Sequence, residues 1–278
     1  MHETTVVGWD GSDTAETALE WAIARAEMQP EGMRRLILVR AVDETLDEDA
    51  AQVFATAETD VAERARRMGA EHPLLDVEAA AVRGEPGDVL ADRSGDHVLL
   101  VVGAENAHTE EYSHSSRLGP RLAGAAEGPV AVVPIGDSRA RSGVMVAIDH
   151  DAPAERLCRL AADYAAGRGE TLHAVHVGTR AHDVAEDAEV LDHALAPALE
   201  EHPDLIVVTH VESGPTARAL VRRARERATV FVGSRRRGAV RQMFLGSVSH
   251  ALVTNARCAT VVVPPVGGPN AESDVPEA

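Results

Sequence analysis

The feature that most constrains this chain is a duplication. Two successive stretches carry the same order of apolar runs, helical periods and punctuating residues. In the first, residues 4–9 form a short apolar run that ends in Asp10-Gly-Ser-Asp13. An amphipathic segment follows, with Ala18, Leu19, Ala22, Ile23 and Ala26 on one face, the 3.6-residue period of a helix. Residues 35–42, 75–82, 97–102 and 129–133 are further apolar runs of strand length, separated by helical segments at 46–68, after Gly84-Glu-Pro-Gly-Asp88, and at 118–126. The order then restarts, with strands expected at 144–148, 171–177, 204–211, 229–232 and 260–263 and helices between them. Asp10 pairs with Asp149, Pro86 with Pro215, Gly103 with Gly233 and Pro134 with Pro264. The Asp-to-Gly interval is 93 residues in the first copy and 84 in the second, and the nine-residue deletion is placed around the long helix.

Strands alternating with helices predict parallel sheets with right-handed crossovers and helices on both faces. The run 35–42 is continuous in Leu, Ile and Val, as a strand buried on both faces is. Residues 135–142 read as a linker between a first unit, 1–137, and a second, 138–266. Residues 267–278, rich in Gly, Pro, Asn, Ser and acids, read as a disordered tail.

Composition narrows the function. The 278 residues carry a net charge of −18, which opposes non-specific binding to nucleic acid or to an anionic membrane surface. All 27 basic residues are arginine, so lysine-based phosphate or Schiff-base chemistry is excluded. High acidity without lysine fits a salt-adapted cytoplasm and equally a GC-rich genome. Aromatic residues make up 3%, so the core is built from Val, Leu and Ala. Cys158 and Cys258 are too few for a disulfide framework and sit among apolar residues, so both are expected as buried, reduced thiols. No signal peptide and no apolar run of membrane-spanning length are read, so a cytoplasmic location is expected. No Gly-x-Ser-x-Gly elbow and no Gly-x4-Gly-Lys-Ser/Thr loop is present, and no catalytic residue is assigned.

In an open α/β sheet the ligand crevice lies beyond the C-terminal strand ends, where the strand order reverses. That places together the Asp after the first strand, the end of the second strand and the glycine loop after the fourth. The residues at these places resemble the universal stress protein family. The first copy matches in Val6-Val-Gly-Trp-Asp-Gly-Ser-Asp13, in Ala18-Leu-Glu-Trp-Ala22 and in Gly84-Glu-Pro86. The second matches in the stretch from Val232 to Ser249, with Cys258-Ala-Thr-Val-Val-Val-Pro264 after it. The resemblance implies two tandem five-stranded units of flavodoxin-like or Rossmann-like (adenine-nucleotide α-hydrolase-like) α/β fold, strand order 3-2-1-4-5. It also implies ATP or a related adenine nucleotide, with Mg, as ligand. The fifth strands are then sheet edges of the kind that pair subunits in the family. Here the two halves would pair with each other as an intramolecular pseudo-dimer, and a further homodimer stays open.

ATP-binding members carry Gly, two residues, Gly, nine residues, Gly, then Ser or Thr. Gly233, Gly246 and Ser247 match, whereas Arg236 stands at the middle glycine. Arg236 either obstructs the phosphates with its Cβ or folds back and pairs with them. In the first copy Ser116-Arg117 replace Gly-Ser, and the loop carries Glu105, Glu110 and Glu111, so Asp10, Val42, Gly103 and Ser116 are expected as a vestigial site. In the second copy the expected nucleotide residues are Asp149, Val177, Gly233, Arg236, Gly246, Ser247 and Ser249. Each has a plainer reading beside it. Asp10 and Asp149 equally suit helix caps, Ser247 can cap its own helix, and Val42 and Val177 equally suit plain core. The arginines 235, 236, 237 and 241 form either an anion patch or a solvated loop. His108 and His114 with Glu110 and Glu111 lack metal spacing and read as a surface loop, so no metal ligand is assigned. Three functions follow in order: a stress-response binding or regulatory module that takes nucleotide in the second copy, a nucleotide-free scaffold acting through protein partners, and, last, an adenylating enzyme.

Overall fold

A computed structural model of the chain describes residues 4–43, 50–104, 115–136, 141–149, 154–178, 184–234 and 245–265. The first half runs β1 (Thr4–Gly8), α1 (Asp13–Glu27), β2 (Arg35–Val42), α2 (Ala50–Glu71), β3 (Asp76–Arg83), α3 (Pro86–Ala91), β4 (Val98–Ala104), α4 (Ser115–Ala125) and β5 (Val130–Pro134). The second runs β6 (Val144–Ile148), α5 (Glu155–Arg168), β7 (Leu172–Gly178), α6 (Val184–Glu201), β8 (Val207–Ser213), α7 (Thr216–Ala224), β9 (Thr229–Gly233), α8 (Ser247–Asn255) and β10 (Ala259–Val263). The helix expected from residue 46 is described from Ala50 onward, and the tail 267–278 and the linker core 137–140 lie outside the described residues.

The strands form one ten-stranded sheet, ordered β3-β2-β1-β4-β5-β10-β9-β6-β7-β8. Each half therefore has the order 3-2-1-4-5, and every pairing within a half is parallel. The halves join where β5 meets β10, antiparallel, with Ala131 opposite Val261 and Val130 opposite Val262. Counting from the shared prolines Pro134 and Pro264, Ala131 and Val261 are counterparts of each other. The pairing thus has the self-complementary form of a two-fold interface, made within one chain.

Alternate strand residues feed two apolar layers. Val101, Ala131, Val146 and Phe231 face α1, α2, α5 and α6; Leu100, Val130, Met145 and Val232 face α3, α4, α7 and α8. This is why the strands are apolar throughout: neither sheet face meets water. The outermost strands β3 and β8 are the exception, and Ile206 beside β8 is 67% exposed. Contacts between halves add to the strand pairing. The Trp21 ring stacks on Tyr164 at 5.8 Å, and the Arg156 guanidinium reaches the Asp96 carboxylate at 3.0 Å. Cys158 and Cys258 are buried, and burial pushes each thiol up to about 12, so neither is a reactive thiolate.

Strand register corrects three details of the sequence alignment. Glu85 and Pro215 are the N-caps of α3 and α7, so Pro215 is the counterpart of Glu85, not of Pro86. Thr5 pairs with Leu36 as Val144 pairs with Leu172, which makes Ala41, not Val42, the counterpart of Val177. The length difference is not confined to the long helix either. The connection 28–34 before β2 is matched by only 169–171 before β7.

Candidate functional site

The strand order reverses at β1/β4 in the first half and at β6/β9 in the second. In the second half Ala147 lies opposite Val232 and Ile148 opposite His176. Asp149, one residue beyond β6, therefore leaves the sheet between the C-terminal ends of β7, at Val177, and of β9, at Gly233. Asp149 and Val177 are both half-buried, and Val177 packs on the layer that α7 and α8 cover. A Cβ placed on Gly233 would meet, among the described residues, only Leu157 Cδ2 at 3.9 Å. That distance is an ordinary van der Waals contact.

Helix α8 closes the site from below. Its N-cap is Gly246, extended at φ −57° and ψ 152°, with no side-chain cap and no acid in the first turn. Ser247 is exposed at the first helical position, and His250 N–H donates to the Gly246 carbonyl at 2.8 Å as the first helical bond. The amides ahead of it form the open end of a helix, a place that favours anions. Ser249 behaves differently from expectation. It is 2% exposed and donates its hydroxyl proton to the Gly233 carbonyl at 2.7 Å, so it ties helix to strand end and has no proton left for a ligand. Ser234, which sequence reasoning passed over, has a buried hydroxyl with no hydrogen-bond partner among the described residues. Its position directly after Gly233 was the available signal, and its first-half counterpart is Ala104. Arg236 and its neighbours 235, 237 and 241 lie outside the described residues, as do Glu105, His108, Glu110, Glu111 and His114.

The first half fills the same place with protein. A Cβ on Gly103 would strike the Thr14 carbonyl oxygen at 2.4 Å, because the first turn of α1 presses onto β4. Gly103, placed within β4 rather than after it, is a glycine for packing. Asp10 accepts from the Ser12 amide at 2.9 Å and from the Ser12 hydroxyl at 2.5 Å. Ser12 in turn caps α1 by accepting from Ala15 N–H at 3.3 Å. Asp10 thus supports the cap and is not the cap itself. Behind it Trp9 Nε1 donates to Glu16 at 2.7 Å, and Arg64 donates to both Glu16 oxygens. Burial raises the Glu16 carboxyl, but the bonds from Arg64 and Trp9 outweigh it and hold the group below its usual range. Val42 is 8% exposed, and Ser116 lies in the first turn of α4.

Two further groupings escaped the sequence. Asp163, Glu201 and His202 bring their ligand atoms within 4.8 Å of one another. His202 Nε2 lies 2.6 Å from Asp163 Oδ1, while Arg159 Nε takes Glu201 at 3.0 Å. The first half repeats the histidine–acid contact, His72 Nδ1 to Glu27 at 2.6 Å, which marks it as a clasp between neighbouring helices. His173 and His210 stack at 5.5 Å between ring centres on β7 and β8. Burial, then the charges of Arg227, His210 and Arg223, lowers His173 to about 4.

The model of the Universal stress protein family matches residues 1–134 and 142–264, one segment on each half. The chain is 28% identical over 292 residues to Universal stress protein Rv2623 of Mycobacterium tuberculosis, covering 92% of this chain and 95% of that relative. Universal stress protein Rv2005c of the same organism is 28% identical over 285 residues, with 92% and 95% covered. Among solved structures, a universal stress protein of Archaeoglobus fulgidus aligns with a TM-score of 0.75 at 19% identity, covering 95% of this chain and 99% of that one. No helix among the described residues is long and apolar enough to cross a membrane.

Proposed function

The chain belongs to the universal stress protein family, and from that premise we propose that it is a cytoplasmic stress-response module whose second half binds an adenine nucleotide, ATP with Mg. The observation that carries this reading is the open end of α8. Gly246 leaves the helix without a side-chain cap, and Ser247 stands exposed beside it.

The residues present fit the ligand. Gly233 has no Cβ, and among the described residues only Leu157 would stand within 4 Å of one, so a phosphate can come close to the backbone there. The Ser234 hydroxyl, without a partner among the described residues, is a ready donor, and the exposed Ser247 hydroxyl is another. Val177 offers an apolar wall for a base, and Asp149 supplies a hard oxygen for Mg or a ribose hydroxyl. Mg supplies the positive charge that phosphates need in a chain of net charge −18. The role is binding or regulation. Any hydrolysis is slow, since no residue at the site is assigned as a general base. Units 1–137 and 138–266, with a tail from 267, are the division that this reading adopts.

Calorimetric titration with ATP and Mg, at low and high salt, tests the proposal. One site per chain, weakened at least tenfold by Ser247→Ala with Ser234→Ala, is the expected result. No binding up to millimolar ATP removes it, leaving the nucleotide-free scaffold. Arg236→Gly sharpens it: tighter binding shows obstruction by the arginine, and weaker binding shows a direct grip on phosphate.

A further inference from the structure

The two halves differ most in charge along the groove between their third and fourth helices. In the first half that groove is filled, and its one arginine is outnumbered by the carboxylates it pairs with. Arg121 of α4 pairs with Glu85 at 2.7 Å and with Asp88 of α3 at 2.6 Å. It lies so close over Gly87 that a Cβ there would meet the guanidinium carbon at 2.9 Å. In the second half every one of these residues changes. Counted from the N-caps of α3 and α7 and from Leu122 and Leu252, Ala251 replaces Arg121, Ala217 replaces Gly87, Arg218 replaces Asp88 and Pro215 replaces Glu85. Arg257 replaces Glu127.

The bridging arginine is gone, and a groove of about 350 Å³ stands open between α7 and α8. Arg218, Arg225 and Arg257 line it, together with Asn255 and the apolar side chains of Val221 and Ala251. All three arginines are exposed, and none has an ion pair among the described residues. Their neighbours Arg222 and Arg223 are both taken by Glu212, at 2.9 and 2.6 Å. Arg141 adds a further cation nearby, donating to the Arg257 carbonyl. A chain with an excess of acid thus concentrates unneutralised guanidinium on one groove.

We propose that the α7–α8 groove docks an acidic, extended segment of a partner protein. Arg218 and Arg225 are two helical turns apart, about 10 Å along the axis. That is too wide for one phosphate group but matches the roughly 9 Å between acidic residues three positions apart on one face of a polyproline-II-type extended segment, which has three residues per turn and a rise of about 3.1 Å. Guanidinium pairs with carboxylate through two parallel hydrogen bonds. The apolar side chains of Val221 and Ala251 accept an intervening side chain, and the Asn255 amide can both donate to and accept from a passing main chain. The site is independent of the nucleotide crevice.

The test is fluorescence anisotropy on the full chain with a labelled peptide of Glu-Val-Thr repeats. The expected result is binding in low salt that falls steeply as salt rises, at least a tenfold loss in Arg218→Gln with Arg225→Gln, and no change in Arg121→Ala. The Arg218→Glu, Arg225→Glu variant should instead take the matching Lys-Val-Thr peptide. Saturating ATP with Mg should leave peptide affinity unchanged. Equal binding of both peptides to the unaltered chain, or no loss in the glutamine variant, would overturn the proposal. Displacement by pyrophosphate at the peptide's own concentration would assign the groove to small anions instead. A large gain in affinity on ending the chain after Pro265 would assign it to the chain's own acidic tail, and so also overturn it.

Discussion

The two halves share one topology and treat its ligand crevice in opposite ways. In the first, α1 is pressed onto β4 until the Thr14 carbonyl occupies the space beside Gly103, and Asp10 and Ser12 are spent on each other. In the second, nothing among the described residues presses so closely on Gly233, and α8 begins without a side-chain cap. The difference teaches that a glycine retained at equivalent positions can be required for unrelated reasons. Gly103 permits a backbone to approach from within the protein, whereas a Cβ on Gly233 would meet, among the described residues, only the end of the Leu157 side chain.

Substitution of the two glycines is the strongest way to break that contrast. Gly103→Ala drives a Cβ into backbone that cannot rotate away, and about 3 kcal/mol of stability should be lost, the upper range of overpacking. Gly233→Ala should cost under about 1 kcal/mol, since its Cβ would make only an ordinary contact with Leu157 among the described residues, yet weaken ATP binding. Denaturant unfolding of both variants decides this, and equal losses would collapse the distinction. A smaller effect is expected at Ser249, whose first-half counterpart is Gly119. Ser249→Ala removes the bond that fixes the Gly233 carbonyl and should cost about 1.5 kcal/mol, read as a lowered Tm and faster exchange of the α8 amides.

The smallest effect separates the halves by pH. His173 titrates at about 4 in the folded chain, below its ordinary value near 6.5. The folded state therefore favours the neutral ring. Its contribution is fully present above about pH 6.5 and is lost as pH falls towards 4. Discounted for partial exposure, the loss is roughly 1 kcal/mol. His173→Gln should flatten the unfolding free energy between pH 6.5 and 4. An unchanged slope would place the titration elsewhere. In the first half Ile37 stands at this position and does not titrate.

The fold was legible because its signals are local and doubled. Val-rich runs ended by Gly or Pro predict strands with only small shifts at the ends, and the shared order of Asp10/Asp149 and Gly103/Gly233 revealed the repeat. The state of each crevice was not legible. That Asp10 braces Ser12 instead of a ligand depends on the turn it adopts, and that Ser249 turns inward depends on how α8 meets β9. The arginine groove escaped for a different reason. Pairing Pro86 with Pro215 shifts α3 against α7 by one residue, and that single step hides the exchange of Asp88 for Arg218. Hydrogen-bonded register and the helix caps were needed to set it right.

The antiparallel seam between β5 and β10 has a consequence for how the chain is made. β5 is complete by Pro134, but its partner is made only by Val263, the last of the described strands. At ribosomal speeds of 5–20 residues per second, roughly 10 s pass between the two. Throughout that interval the first half presents a bare, wholly apolar strand, Val130-Ala-Val-Val133, at its edge, the kind of template that recruits other chains. Two nascent copies on one message hold identical free edges, and their seam is self-complementary. Early release, or a stall before residue 259, therefore favours pairing between chains, and completion of the second half is the step that seals the sheet.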